Sequence, residues 1–125
     1  MLLRDLVGTS ARVCGPDTTL REAAAEMASR GHGSLGVVDG RELLGLITER
    51  DLVNALGRGA NVDEVAVSSV MSRDPDVFSP DFDIREAAEW LAESAYRHLP
   101  VVENGDLLGI VSVRDILIAM VTTQT

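Results

Sequence analysis

Two short stretches of this 125-residue chain carry the residue types needed to hold a nucleotide: Gly45-Leu46-Ile47-Thr48-Glu49-Arg50-Asp51 and Gly109-Ile110-Val111-Ser112-Val113-Arg114-Asp115. In each, a hydroxyl is followed three residues later by a carboxylate. If helices begin at Thr48 and Ser112, that spacing sets the two groups about one turn apart. The hydroxyl and the unpaired N–H groups of a first helical turn suit a phosphate or a ribose oxygen. The carboxylate can accept hydrogen bonds from both hydroxyls of a ribose. Arg50 and Arg114 offer charge to phosphates. Gly45 and Gly109 permit close approach to the backbone near the strand end. The same residues also fit a local purpose, with Thr48 and Ser112 as helix N-caps and Asp51 and Asp115 complementing the helix dipole. On the residues of one copy the two readings stand side by side.

The elements that would position these residues also recur. Aligning Asp51 with Asp115 gives an offset of 64 residues that holds without a gap. Pro16-Asp17 falls on Pro80-Asp81, and Arg21-Glu22-Ala23-Ala24 on Arg85-Glu86-Ala87-Ala88. Leu35, Val37 and Val38 fall on Leu99, Val101 and Val102, and Leu43-Leu44-Gly45 on Leu107-Leu108-Gly109. A duplicated unit of about 60 residues follows, with residues 1–61 as the first copy and 62–125 as the second.

Each copy reads as β-α-β-β-α. Val13-Cys14 and Val77-Phe78 are short apolar segments before a Pro-Asp turn. An amphipathic helix follows, with Leu20, Ala23, Ala24 and Met27 on one face of the first copy and Ile84, Ala87, Ala88 and Leu91 in the second. Thr19 and Asp83 are the expected N-caps, with Glu22 and Glu86 three residues on. Strands are expected over 35–39 and 43–48, and over 99–103 and 107–112. Asn104-Gly105 is a strong hairpin signal, because both residues tolerate positive φ. A closing helix should start at Thr48 and Ser112. Residues 58–63 read as a linker and 66–71 as a short helix. The predicted fold class is α+β, an α/β sandwich of two pseudo-twofold-related repeats packed sheet to sheet. One repeat buries too little surface to be secure alone. The second closing helix, Ile116-Leu117-Ile118-Ala119-Met120, is apolar nearly all round and predicts further burial in a homodimer.

Composition narrows the function. Hydrophobic residues make up 46% and aromatics 3%, so the core must be aliphatic. A net charge of −9 without a Lys/Arg cluster argues against nucleic acid and anionic membrane as partners. The single cysteine, Cys14, and the isolated His32 and His98 offer no metal spacing. The chain shows no signal peptide and no membrane-length apolar run, which predicts a soluble, cytoplasmic protein. It shows no nucleophile–base pair and no Walker loop, so a binding protein is expected rather than an enzyme.

The two Gly-x-apolar-Ser/Thr-x-x-Asp segments resemble the signature of cystathionine β-synthase (CBS) domains. Tyr96-Arg97-His98-Leu99-Pro100-Val101-Val102 resembles that family's basic-apolar-Pro strand, and Val70-Met71-Ser72 its entry sequence. The resemblance spans nearly the whole chain and implies a stand-alone tandem pair, or Bateman module. Such modules are regulatory, commonly dimerise, and bind AMP, ADP, ATP or S-adenosylmethionine in a cleft between the repeats. No other cofactor is implied, and a regulated protein would be a separate chain. The resemblance further implies composite sites. Thr48 and Asp51 would face Val77 and Phe78. Ser112 and Asp115 would face Val13, Cys14, Ser34 and Leu35. Arg97 and His98 would lie near the phosphates, with Pro100 of the same strand also among the ligand-binding candidates. Gly33-Ser34-Leu35-Gly36 stands where the second copy has Arg97-His98-Leu99-Pro100, so two sites of unequal strength are expected. Scarce positive charge disfavours a triphosphate against AMP, ADP or a cationic S-adenosyl ligand. The competing reading is a structural or protein-interaction module whose nucleotide sites are vestigial.

Overall fold

The computed structural model describes residues 1–8 and 12–122. Its elements run β1 (Val13–Cys14), α1 (Leu20–Arg30), β2 (Ser34–Asp39), β3 (Glu42–Thr48), α2 (Glu49–Gly57), β4 (Ser72–Arg73), α3 (Ile84–Glu93), β5 (His98–Glu103), β6 (Asp106–Ser112) and α4 (Val113–Thr122). This is an α+β chain of two repeats, with each hairpin strand one residue longer at its start than the apolar runs suggest.

Local chemistry explains the boundaries. Thr19 closes a full capping box with Glu22, and the helix stops at Gly31, which takes the left-handed conformation at φ 69°. Asp83 caps α3 differently. Its carboxylate accepts from the Arg85 N–H at 2.8 Å, without the reciprocal bond expected from Glu86. Leu20, Ala23 and Met27 are buried, as are Ile84, Ala87 and Leu91. Ala24, expected on the same face, is exposed, so the buried stripe of α1 is only one residue wide at that turn.

The two hairpins are copies of one register. Ser34 pairs with Thr48 and Val37 with Gly45, then the register shifts between Val37 and Val38. His98 pairs with Ser112 and Val101 with Gly109, and the shift falls between Val101 and Val102. Asn104 and Gly105 both have positive φ, 53° and 84°, as a type I′ turn requires. Parallel pairing also repeats: Cys14 lies beside Val37, and Phe78 beside Val101.

The chain divides into two compact units, Arg12–Pro75 and Met1–Ala11 with Asp76–Thr125. These units do not follow the repeat boundary of the sequence. Each repeat is preceded by a short lead-in segment, and each unit takes the lead-in of the other repeat. Residues 1–7 pack with the second repeat: Leu3 N–H donates to the Phe82 carbonyl, Arg4 N–H to Pro80, and Ile84 N–H to Met1. Residues 65–71 pack with the first: Val67 N–H donates to Thr18, Ser68 N–H to Pro16, and Leu20 N–H to Val65. Each bond maps onto its counterpart at the offset of 64. The expected short helix is a single 3-10 turn, Val67–Ser69, matched by another at Leu3–Asp5. Residues 58–63, expected as a plain linker, are packed as well. Ala60 and Val62 lie against the core of their unit, the Val62 carbonyl accepts from Arg21 N–H, and Asp63 forms an ion pair with Arg21.

Each unit has its own core, largely aliphatic, with Phe78 added in the second. One gathers Leu20, Met27, Leu35, Val37, Ile47 and Val67; the other gathers Leu3, Ile84, Leu91, Leu99, Val101, Val111 and Ile116. The lead-in residues Leu3 and Val67 are wholly buried in the cores of their host units. The motif glycines make this packing possible. A Cβ on Gly45 would meet Met71 Sδ and the Ser72 carbonyl oxygen at 2.6 Å, and one on Gly109 would meet Val7 Cβ at 3.2 Å. The close approach expected at these glycines is therefore made by the lead-in segments. Met71 can shift, but the Ser72 carbonyl is fixed by the β3–β4 pairing. Gly45→Ala should destabilise the protein by about 1–3 kcal/mol. Gly109→Ala should cost less, and comparison of urea midpoints checks that order.

Candidate functional site

The candidate site residues converge at the strand-to-helix junction of each unit. In the first, Thr48 N–H and Oγ1 both donate to Asp51 Oδ2, at 2.8 and 3.0 Å, and Asp51 N–H donates to Thr48 Oγ1 at 3.3 Å. In the second, Ser112 N–H donates to Asp115 Oδ2 at 2.9 Å and Asp115 N–H to Ser112 Oγ at 3.1 Å. Both junctions are capping boxes with aspartate as the third helical residue. The box fixes the carboxylate against the strand end, so its position is set before any ligand arrives. Thr48→Ala should cost about 0.5–2 kcal/mol through loss of this cap, whereas Thr48→Ser, the residue used at the second junction, should be nearly neutral. Thermal melts of the two variants check this.

The residues preceding each strand join the same junction. Glu49 N–H donates to the Gly33 carbonyl at 3.0 Å, and Val113 N–H to the Arg97 carbonyl at 2.9 Å. Cross-strand pairing sets Ser34 beside Thr48 and His98 beside Ser112. Each unit thus brings together its hydroxyl, its carboxylate and the strand entry 14 or more residues upstream. Ser34 is buried, Thr48, Asp51, His98 and Ser112 are half-buried, and Arg50, Arg97, Arg114 and Asp115 are exposed. The charge asymmetry is real in space: one junction has Arg97 and His98 next to Ser112, the other Gly33 and Ser34 next to Thr48.

Of the remaining candidates, Val13 and Cys14 lie on β1, Leu35 on β2 and Pro100 on β5, Phe78 makes an isolated bridge to Val101, and Val77 lies outside the strands. Val13 and Val77 are exposed, at 43% and 51%. Leu35, Phe78 and Pro100 are buried, and Cys14 is half-buried. Burial pushes the Cys14 thiol above its ordinary range, with a hydrogen bond from Thr18 opposing the shift, which suits a packed thiol rather than a reactive one. Phe78 meets Trp90 edge to face at 4.9 Å, and Trp90 stacks on Tyr96 at 5.7 Å. Among the described residues, no group of three His, Cys, Asp or Glu side chains could hold a metal, and no helix is long and apolar enough to cross a membrane.

The lead-in residues Leu3, Val7, Val67 and Met71 were not foreseen as supports of the junctions. The signal was present, because the offset of 64 continues upstream, with Leu3 on Val67 and Leu6 on Val70.

Comparison with known proteins adds the following. The CBS domain model matches twice, over residues 3–58 and 67–122. The chain is 36% identical over 119 residues to an uncharacterised 17.7 kDa protein of Acidianus ambivalens, covering 94% of this chain and 71% of that one. It is 39% identical over 105 residues to an uncharacterised protein of Methanopyrus kandleri, covering 82% of this chain and about half, 54%, of that one. Among solved structures, a CBS-domain-containing protein of Agrobacterium tumefaciens superposes with a TM-score of 0.87 at 32% identity, over 96% and 99% of the two chains. Two others share the fold at lower identity. The CBS domain protein of Pyrobaculum aerophilum, complexed with AMP, gives 0.85 at 23% over 98% and 100%. The CBS domain pair of protein MJ0100, complexed with 5′-methylthioadenosine and S-adenosyl-L-methionine, gives 0.88 at 21% over 99% and 98%.

Proposed function

Because the chain belongs to the CBS-domain family, with two such domains in tandem, we propose that it is a regulatory sensor module for an adenosine-containing ligand: AMP, ADP, ATP or S-adenosylmethionine. The carrying observation is the strand-to-helix junction built twice with the same reciprocal pair of backbone N–H bonds, to which Thr48 Oγ1 adds a third in the first. Each capping box engages Oδ2 of its aspartate. A carboxylate has about four acceptor positions, so capacity remains for ribose hydroxyls. The adjacent helix N-terminus favours the negative charge of a phosphate. That solved relatives of this fold carry AMP or S-adenosylmethionine supports the ligand class. The Arg97-His98 entry beside Ser112 and the Gly33-Ser34 entry beside Thr48 make the two sites unequal.

One observation favours a second reading. Both aspartates already have a structural partner in the capping boxes, as they would in a module that only mediates contacts between proteins. Exposed apolar residues supply such contacts: Val53 and Leu56 on α2, and Leu117, Ile118 and Val121 on α4. We assign these helix faces to homodimer formation, with a regulated protein as a separate partner.

Calorimetric titration with AMP, ADP, ATP and S-adenosylmethionine decides between the readings. Saturable binding with two unequal affinities is expected. No binding by any of the four would leave the interaction module, and ATP binding far tighter than AMP would refute the ranking drawn from the scarce positive charge.

A further inference from the structure

The surface of residues 76–122 that receives residues 1–7 has the anatomy of a peptide-binding site. Backbone groups supply much of the recognition: Leu3 and Arg4 N–H donate to Phe82 and Pro80 at 2.9 and 2.8 Å, and the Met1 carbonyl accepts from Ile84 at 3.1 Å. The segment is a 3-10 turn whose first N–H groups, free of partners within the turn, are satisfied by the neighbouring loop. One anchor side chain, Leu3, is fully buried among Ile84, Ala87, Leu99 and Val111. A second, Val7, rests on the bare Cα of Gly109. A charged hook completes the set, with Arg4 forming ion pairs to Asp81 at 2.9 Å and Glu103 at 3.0 Å. Asp5 Oδ2 turns back to accept from Leu2 N–H, holding the segment in its bound turn.

The equivalent segment of the other unit isolates what is special here. Residues 65–71 keep the backbone bonds and the apolar anchor Val67, but Ser68 stands at the position of Arg4. Asp17 and Asp39 occupy the positions of Asp81 and Glu103, so the acidic pair has its arginine in one unit only. The ionic hook belongs to the first lead-in alone.

We propose that residues 76–122 form a peptide-binding site whose ligand is the Met1–Val7 segment, held reversibly and exchangeable for the same segment of a second copy of this chain. The ligand class is an apolar-apolar-Arg-acidic-apolar-apolar peptide. Recognition divides between the Leu3 anchor, which supplies affinity, and the Arg4 hook, which supplies selectivity and dependence on salt.

The test uses the full chain with a specific protease sequence inserted between Gly8 and Arg12. After cleavage of the folded protein, the released segment should remain bound through gel filtration. An excess of labelled peptide of residues 1–8 should then replace it. A peptide with Leu3→Ala should compete about thirtyfold less well or worse, the weakest penalty for emptying a buried leucine site. A peptide with Arg4→Ala should lose several-fold at low salt and little at high salt. The proposal is overturned if the cleaved segment departs without lowering the melting temperature. It is equally overturned if the labelled peptide fails to enter, or enters no better than a scrambled one.

Discussion

Replacing Leu3 by alanine is expected to cost about 2–5 kcal/mol, and the loss should fall on the unit built from the second repeat. Leu3 is wholly buried in the core formed by Ile84, Leu91, Leu99, Val101 and Ile116. Emptying that site leaves a cavity lined by residues from α3, β5, β6 and α4, whose own backbone bonds oppose collapse. Trp90 is the sole tryptophan and lies in the same unit, so its fluorescence reports the transition directly. Hydrogen exchange separates the units: amides of residues 76–122 should lose protection in Leu3→Ala, whereas Val67→Ala should expose residues 12–75. If Leu3→Ala weakened both units equally, or cost under about 1 kcal/mol, the exchange of lead-in segments would not be what stabilises them.

The second large effect concerns Asp51 and Asp115. Alanine at both is expected to lower affinity for an adenosine ligand about a hundredfold or more, since each hydrogen bond to a charged acceptor is worth about 1.5–3 kcal/mol. Alanine alone is ambiguous, because each carboxylate also closes a capping box. Glutamate resolves this. It is the usual third residue of a capping box, so it keeps the cap while moving the carboxylate by one methylene. The Asp51→Glu, Asp115→Glu double variant should therefore melt close to the parent protein and still bind poorly in calorimetry. Unchanged affinity in that variant would remove both aspartates from the site and leave them as caps.

The duplication, the helices and the hairpins were legible in the chain because their determinants are local. Thr19 with Glu22 starts a helix, Asn104-Gly105 turns a hairpin, and the offset of 64 carries both into the other copy. The junctions were legible for the same reason: Thr48 to Asp51 and Ser112 to Asp115 span a single turn. What escaped was non-local. The periodicity that made Ala24 look buried could not register that no neighbouring element covers it. The glycines of the motif signalled close approach, but not that Met71 and Val7 would be the groups approaching. The repeat showed that residues 1–7 and 65–71 are equivalent without showing which core each would enter, since either core offers the same apolar slot.

That last equivalence bears on what a single repeat would need. A polypeptide with a single repeat carries one lead-in and one slot, and in the pattern preserved here the lead-in fills a slot that is not its own. A one-repeat chain built this way would be complete only as a pair of identical chains, each lending its first turn to the other. With two repeats in one chain that loan is made within a single molecule, and the copies carry different residues at matching positions, Arg4 against Ser68 and Arg97 against Gly33.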